Sequence, residues 1–127
     1  MNANLIKKYD KYSAAKLKQL AQKHFNAWIR KRDEGQLCIS CGANNPEQAG
    51  HFYSAGHHNI IRFNEDNCHL QCRRCNYYLS GNLINYRKSL EKKIGKERLE
   101  KLDMLASIKK AHKHDRFTLI DIINKYT

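Results

Sequence analysis

The chain has 127 residues, which is enough for one domain with a modest hydrophobic core. Hydrophobic residues make up 41% of it and charged residues 28%, so the composition excludes an intrinsically disordered chain. No apolar run reaches the length of a membrane span, and the first residues lack the apolar stretch of a signal peptide, so we expect a cytoplasmic protein that does not bind membranes.

The net charge of +12 is unevenly distributed along the chain. Residues 1–37 carry nine Lys and Arg against three Asp and Glu, residues 82–127 carry twelve against six, and residues 38–81 carry three against three. Two basic arms around a neutral centre predict a protein that holds a polyanion with its arms and presents it to the centre. DNA is therefore the expected partner, and the competing interpretation is a basic surface that serves solubility alone.

The N-terminal part is predicted to be one amphipathic helix that begins after Ser13 and ends near Gly35, with Leu17, Phe25 and Trp28 on its apolar stripe. The centre is rich in turn residues, because residues 37–81 hold four of the six glycines and the single proline. Here we expect a small hairpin with strands at 49–53 and 60–63, followed by a short helix that begins at Asn76.

The C-terminal part is predicted to contain three helices. Apolar residues recur at helical spacing between Leu83 and Gly95, which ends the first helix, and again between Leu99 and Ile108. Asp115 is the expected cap of the third, whose inward residues are Phe117, Ile120 and Ile123. The predicted fold is mostly helical α+β in a single domain with three parts: a basic helix at 1–36, a zinc-bound core at 37–82 and a basic helical part at 83–127.

Two C-x-x-C pairs, separated by thirty residues, predict one structural zinc site. Each pair presents two thiolates at the spacing that tetrahedral zinc requires, and four thiolates leave no open position on the metal. A cytoplasmic protein with an odd number of cysteines is not expected to form a disulfide framework. The predicted zinc ligands are Cys38, Cys41, Cys72 and Cys75, and Cys68 is interpreted as a small buried side chain.

The segment between and after the cysteine pairs resembles known nucleases. Ala-Gly-His-Phe at 49–52, Arg-Phe-Asn-Glu-Asp-Asn at 62–67, Gln-Cys-x-x-Cys-Asn at 71–76 and Ser-Gly-Asn at 80–82 are similar to the NinG (Rap) recombination proteins of lambdoid phages. The order of His51, Asn67 and Asn76 resembles that of the HNH, or ββα-metal, nucleases, and the Cys-Asn helix start resembles the endonuclease VII-type junction resolvases. The resemblance covers roughly residues 30–100.

This resemblance implies a metal-dependent nuclease with named roles for three residues. A neutral imidazole at His51 would serve as the general base that activates water. Asn76 would offer an amide oxygen to a catalytic magnesium or manganese ion, and Asn67 would brace the hairpin beside His51. The structural zinc would hold strand and helix at the separation that the second metal needs.

The chain departs from the HNH pattern at one position. Most such sites carry an Asp or His metal ligand immediately before the general base, where this chain has Gly50. Asp66 and His69 are the candidate replacements that lie nearest to Asn67 in sequence. The other candidates are His57, His58, Glu65 and Asn82. The departure leaves open a site that has lost its activity.

Further residues are candidates for contact with nucleic acid. His57 and His58 are an alternative catalytic pair, although a phosphate-contacting role suits them at least as well. Exposed cations are expected to bind phosphates. They are Arg73, Arg74, Arg87, Lys88 and Lys92. Of the adjacent Tyr77 and Tyr78, one is expected to face the core and the other to contact sugar or base.

The leading hypothesis is a structure-specific DNA endonuclease of a phage in its bacterial host, acting on branched recombination intermediates such as Holliday junctions and D-loops. The alternative is a zinc-stabilised protein that binds branched DNA through a degenerate HNH site and cuts nothing. An RNA-processing role ranks last, because the sequence lacks the aromatic-rich sheet of common RNA-binding folds. Symmetric cleavage of a junction would need two active sites, for which a homodimer is the simplest arrangement.

Overall fold

The structure, a computed structural model, describes residues 2–127. Five helices and two strands follow one another along the chain, with no helix among these residues long and apolar enough to cross a membrane. The elements are α1 (Ala3–Lys8), α2 (Ala14–Arg32), β1 (Gln48–His51), β2 (Cys68–Gln71), α3 (Leu83–Ile94), α4 (Lys96–Ala106) and α5 (Arg116–Tyr126). Two 3-10 turns, Asn59–Ile61 and Glu65–Asn67, and a π-helical turn, Arg74–Tyr78, connect them.

The contacts divide the chain into two compact units. One contains the chain up to Trp28 together with Lys113–Thr127, and the other is Ile29–His112. The single domain expected from the sequence stays a prediction. All the candidate site residues between Cys38 and Lys92 belong to the second unit.

The first unit is helical and packs around aromatic side chains. The hydroxyl of Ser13 accepts a hydrogen bond from the backbone N–H of Lys16, which confirms the predicted cap of α2. Phe25 of α2 is fully buried and meets Tyr126 of α5 edge to face, with ring centroids 5.0 Å apart. Asp115 caps α5 as expected, but Phe117 is 50% exposed, because the buried face of α5 is formed instead by Leu119, Ile120, Ile123 and Tyr126.

The second unit contains an antiparallel two-stranded sheet whose second strand is not the expected one. β1 pairs with β2, so that His51 lies opposite Cys68. The expected strand at 60–63 is wrong, since Asn59–Ile61 is a 3-10 turn closed by the Ile61 N–H and the His58 carbonyl. Asparagine side chains favour such turns, and the amide oxygen of Asn64 accepts from the N–H of Asp66 at the start of the next one.

Helices α3 and α4 provide most of the hydrophobic cluster of this unit. Most residues of the two predicted apolar stripes are buried, as expected. The exceptions are Leu83, which is 45% exposed, and Ile108, which lies beyond the end of α4. The hydrophobic cluster consists of Ile39, Phe52, Ile61, Tyr86, Leu90, Ile94, Leu99, Leu102 and Ala106. The hydroxyl of Tyr86 donates to the Gly50 carbonyl at 2.6 Å and so ties α3 directly to β1.

A buried charge network joins the end of α2 to β2 and α3. Asp33 is 1% exposed, and its carboxylate accepts from the N–H of Leu70 and lies 3.1 Å from Nζ of Lys93. Burial opposes ionisation, yet hydrogen bonds from Arg32 and Lys93 lower the pKa of Asp33 to about 2. Arg32 also donates to the Cys68 carbonyl at 2.7 Å. The network fixes β2, the strand that leads into the second cysteine pair.

Candidate metal centre and adjoining cleft

The four predicted zinc ligands converge at one point. The thiol sulfurs of Cys38, Cys41, Cys72 and Cys75 all lie within 4.8 Å of one another. The sulfurs of Cys41 and Cys72 are 3.7 Å apart, and a tetrahedral zinc ion with bonds of about 2.3 Å would place any two thiolates about 3.8 Å apart. The donor set and its spacing therefore fit one zinc ion.

Each cysteine pair is shaped by a tight turn. In the first, the N–H of Gly42 donates to the Cys38 carbonyl at 2.8 Å, and Gly42 has φ +75°, a conformation that glycine adopts without strain. In the second, the N–H of Cys75 donates to the sulfur of Cys72 at 3.5 Å. These turns hold both thiols of a pair on one side of the backbone.

The thiols differ in acidity, and burial raises the pKa of Cys75 in the cluster to about 12. Burial disfavours the Cys38 thiolate, but the backbone N–H groups of Cys72, Cys41 and Ser40 outweigh it and lower the pKa of Cys38 to about 7. Cys68 is fully buried on β2, and burial raises its pKa to about 12. The interpretation of Cys68 as a small buried side chain is therefore confirmed.

A cleft of about 410 Å³ opens beside the end of β1. It brings together two residues expected to act in catalysis, His51 and Asn76, with one of the alternative histidines, His58. The remaining lining residues include no carboxylate. They are Ala49, Phe52, Tyr53, Ser54, Ala55, Ser80, Gly81 and Leu83.

His51 is held as a neutral imidazole. Its Nε2 lies 3.0 Å from the carbonyl oxygen of Arg62, and since a carbonyl can only accept, Nε2 carries the proton. Burial lowers the pKa of His51 below its usual value, although the Arg62 carbonyl opposes this shift. In this neutral form Nδ1 is unprotonated, as a general base requires, and it lies 3.8 Å from Sγ of the buried Cys68.

Asn76 lies in the π-helical turn Arg74–Tyr78, directly after the last zinc ligand. Its Nδ2 donates to Oε1 of Gln48 at 2.8 Å, which fixes the orientation of the amide. Among residues 2–127, Oδ1 of Asn76 has no hydrogen-bond partner. The amide oxygen is therefore available as an acceptor or as a ligand for a hard cation.

Asn67 is fully buried and joins the loop after β1 to the turn before β2. Its Oδ1 accepts from the N–H of Tyr53 at 2.8 Å, and its Nδ2 donates to the Tyr53 carbonyl at 2.9 Å. The backbone carbonyl of Asn67 accepts from the N–H of Phe52. These bonds hold the chain immediately after His51, as a brace would, and Asn67 does not line the cleft.

The two ligands proposed to replace the missing side chain lie elsewhere. The carboxylate of Asp66 is paired with the guanidinium of Arg98. His69 is 2% exposed, its Nε2 donates to the Asp66 carbonyl, and burial together with the charge of Lys93 lowers its pKa to about 4. Neither side chain lines the cleft, whereas His58 does.

Glu65 and Asn82 are half-buried, and Nδ2 of Asn82 donates to Sγ of Cys75 at 3.5 Å, whereas several other candidates are at the surface. The ring of His57 is exposed, and its Nδ1 lies 2.9 Å from Oγ of Ser54. Arg87 forms a two-point ion pair with Asp103 of α4, so its guanidinium is already engaged. Exposed residues also include Arg73, Arg74, Lys88 and Lys92. The expectation that one tyrosine of the adjacent pair faces the core is wrong: Tyr77 is 69% and Tyr78 66% exposed.

The sequence analysis missed Gln71, the last residue of β2. Gln71 is fully buried, and its Nε2 donates to Oγ of Ser40 at 2.8 Å and to the carbonyl of Gly81 at 2.7 Å. It thereby joins the first cysteine pair to the loop after the second. The sequence did hold one indication of this role: Gln71 is a polar residue immediately before a zinc ligand, at a strand position where an apolar residue is expected.

Gly50 lies directly against this glutamine. A Cβ atom at position 50 would come within 1.8 Å of Oε1 of Gln71, an atom that has no hydrogen-bond partner among the described residues. The side chain of Gln71 on the neighbouring strand thus occupies the space that a side chain at position 50 would fill. The departure at Gly50 has a steric cause in this chain.

We predict that Gly50→Ala destabilises the protein by about 2–4 kcal/mol, because the new methyl group overpacks a buried site and breaks the hydrogen bonds of Gln71. Urea unfolding at constant zinc concentration measures this change. Gly56→Ala is the matched control, since a Cβ there meets nothing within 4 Å. Equal stability of the two variants would contradict the steric argument.

Fold and site together define a small, mostly helical α+β protein with a two-stranded sheet and a four-cysteine cluster suited to zinc. The family model described as Bacteriophage Lambda NinG protein matches residues 2–127. The chain belongs to this family, and the match extends beyond the central stretch that carried the resemblance.

Curated relatives come from several phages, and each is named "Protein ninG". That of Escherichia phage lambda is 44% identical over 85 residues, which is 65% of this chain and 42% of the relative. That of Salmonella phage P22 is 40% identical over 100 residues, 77% of this chain and 46% of the relative. The chain thus spans less than half the length of these relatives. No solved structure matches.

Proposed function

We propose that this chain is a metal-dependent endonuclease of the HNH type that cuts branched DNA during phage recombination in the bacterial host cell. The observation that carries the proposal is the cleft that His51 and Asn76 line together, beside the cysteine cluster. A neutral imidazole and an oriented amide are the groups that the sequence pattern assigns to catalysis. The net charge of +12 supports DNA as the substrate.

The contacts of His51 and Asn76 support the roles that we propose for them. The carbonyl of Arg62 holds the ring of His51 through Nε2, which leaves Nδ1 to accept a proton from the attacking water. Water would have to replace the contact of Nδ1 with Sγ of Cys68, which is 3.8 Å away. Gln48 orients the amide of Asn76, so that Oδ1 serves as a cation ligand. When bound, magnesium or manganese would polarise the scissile phosphate and stabilise the leaving oxygen. Zinc at the four cysteines has a structural role.

The donors in the cleft also bear on the choice of catalytic ion. Asn76 and His58 offer an amide oxygen and an imidazole, and no carboxylate is among the lining residues. Magnesium prefers carboxylate and water ligands, whereas manganese and later transition metals accept imidazole more readily. We therefore expect manganese to support cleavage at lower concentrations than magnesium.

The test is cleavage of a labelled four-way junction with linear duplex of the same sequence alongside, in separate titrations of magnesium and manganese. The proposal expects nicks at the branch that depend on the added ion and are absent from the duplex. Tight binding of the junction without a cut under any divalent ion would contradict it. That outcome would favour the non-catalytic DNA-binding protein, which the carboxylate-free cleft also supports.

A further inference from the structure

Two exposed tyrosine rings lie immediately after the cleft residue Asn76. Tyr77 and Tyr78 are 69% and 66% exposed, and their ring centroids are 5.0 Å apart at an interplanar angle of 83°. Both belong to the π-helical turn Arg74–Tyr78. Such turns are rare in proteins, and many of those known lie at functional sites. Two large rings at the surface, outside the core, leave aromatic faces open for a ligand.

The guanidinium of Arg73 lies close to both tyrosine rings. Cζ of Arg73 lies 6.0 Å from the ring centroid of Tyr77 and 5.9 Å from that of Tyr78. Arg74 follows and is also exposed. Flat aromatic rings beside planar cations are the combination with which proteins bind single-stranded nucleic acid, because the rings stack on bases and the cations contact phosphates.

The charge around the tyrosine pair favours a polyanion over a second copy of this chain. Residues 67–90 include four Lys and Arg and no Asp or Glu. Arg87 is paired with Asp103, but Arg73, Arg74 and Lys88 form no ion pair within the described part of the chain. Two copies that met through this face would bring like charges together, whereas a nucleic acid backbone would neutralise them.

We propose that Tyr77 and Tyr78 stack on unpaired bases of DNA and so determine a preference for branched or single-stranded over fully paired substrates. The inference rests on the proposed function for the choice of DNA as ligand. In a duplex the base faces are covered by neighbouring base pairs, so the rings gain contacts only where bases are unstacked. The adjoining Asn76 would place such a base next to the cleft.

The experiment compares the full chain, loaded with zinc, with Tyr77→Ala/Tyr78→Ala and with Tyr77→Phe/Tyr78→Phe, which keeps the rings. Fluorescence anisotropy without magnesium or manganese measures binding to a labelled single strand and to the blunt duplex of the same sequence. We expect the alanine variant to lose about tenfold or more in single-strand affinity, with duplex affinity nearly unchanged and the phenylalanine variant close to the parent chain. Zinc content and circular dichroism verify the fold of both variants.

Equal losses for single strand and duplex in the alanine variant would overturn the inference, because they would indicate general electrostatic contact. A second result would also overturn the inference: sedimentation shows a dimer of the parent chain that is lost in the alanine variant, while DNA binding persists. Junction cleavage is scored separately. If the parent chain cuts junctions and the alanine variant binds single strands normally, the stacking role alone is contradicted. If the chain shows the expected base preference but does not cut, the nuclease alone is contradicted.

Discussion

His51→Ala is expected to lower the rate of metal-dependent junction cleavage by about 10²–10⁴-fold, the usual contribution of a positioned general base. The variant removes an imidazole that is both held on a backbone carbonyl and placed in the cleft. Single-turnover kinetics on the labelled junction measure the rate. Because the pKa of His51 lies below its usual value, the parent rate should persist to a lower pH than an exposed histidine would allow.

Two controls separate chemistry from folding in this experiment. His57→Ala removes an exposed imidazole that does not line the cleft, and it should leave the rate unchanged. Imidazole added to His51→Ala should restore part of the activity, since it can occupy the vacated space. A His51→Ala protein with full zinc content and undiminished cleavage would remove His51 from the mechanism, and a loss confined to His57→Ala would move the general base to that residue.

Loss of one zinc ligand is expected to unfold the region around the site. In Cys75→Ala the protein should retain no zinc, and the unit Ile29–His112 should lose its cooperative unfolding transition, because a structural zinc site contributes on the order of 10 kcal/mol to folding. Residues 38–82 contain two four-residue strands and three short helical turns, which cannot form a stable core without the ion. Native mass spectrometry and thermal unfolding followed by circular dichroism report both effects.

Cys68→Ala is the matched control. Cys68 is as buried as Cys75 but lies outside the cluster, so its alanine variant should keep one zinc ion per chain and lose only about 1 kcal/mol of stability. Zinc retention by Cys75→Ala, or zinc loss from Cys68→Ala, would show that the ligand set is different from the four cysteines named here.

Residue types with strict spacing allowed the cysteine cluster to be predicted. The four cysteines could be grouped because two C-x-x-C pairs in such a chain most often bind zinc. The start of α2 could be predicted from Ser13 and the end of α3 from Gly95. The second strand was misplaced because Ile60 and Ile61 fit a strand by type. In the structure Ile61 is buried in the core from a 3-10 turn instead.

Other features depend on long-range packing that no local pattern encodes. Asp66 and His69 are near Asn67 in sequence, yet Arg98 and the Asp33 network engage them. Gln71 is an unexpected polar residue in a strand, but its role depends on Ser40 and Gly81, which are distant in sequence. The exposure of both Tyr77 and Tyr78 follows from the π-helical turn, whose geometry differs from the α-helix that the sequence predicts.

The contact between Gly50 and Gln71 also constrains how this site can evolve. A carboxylate at position 50 would collide with Gln71, so that substitution is disfavoured while glutamine remains. A smaller residue at position 71 would have to come first, at the cost of the bonds to Ser40 and Gly81. The two positions are therefore expected to show strong epistasis, and an acidic residue at 50 should occur only in lineages that have already replaced Gln71.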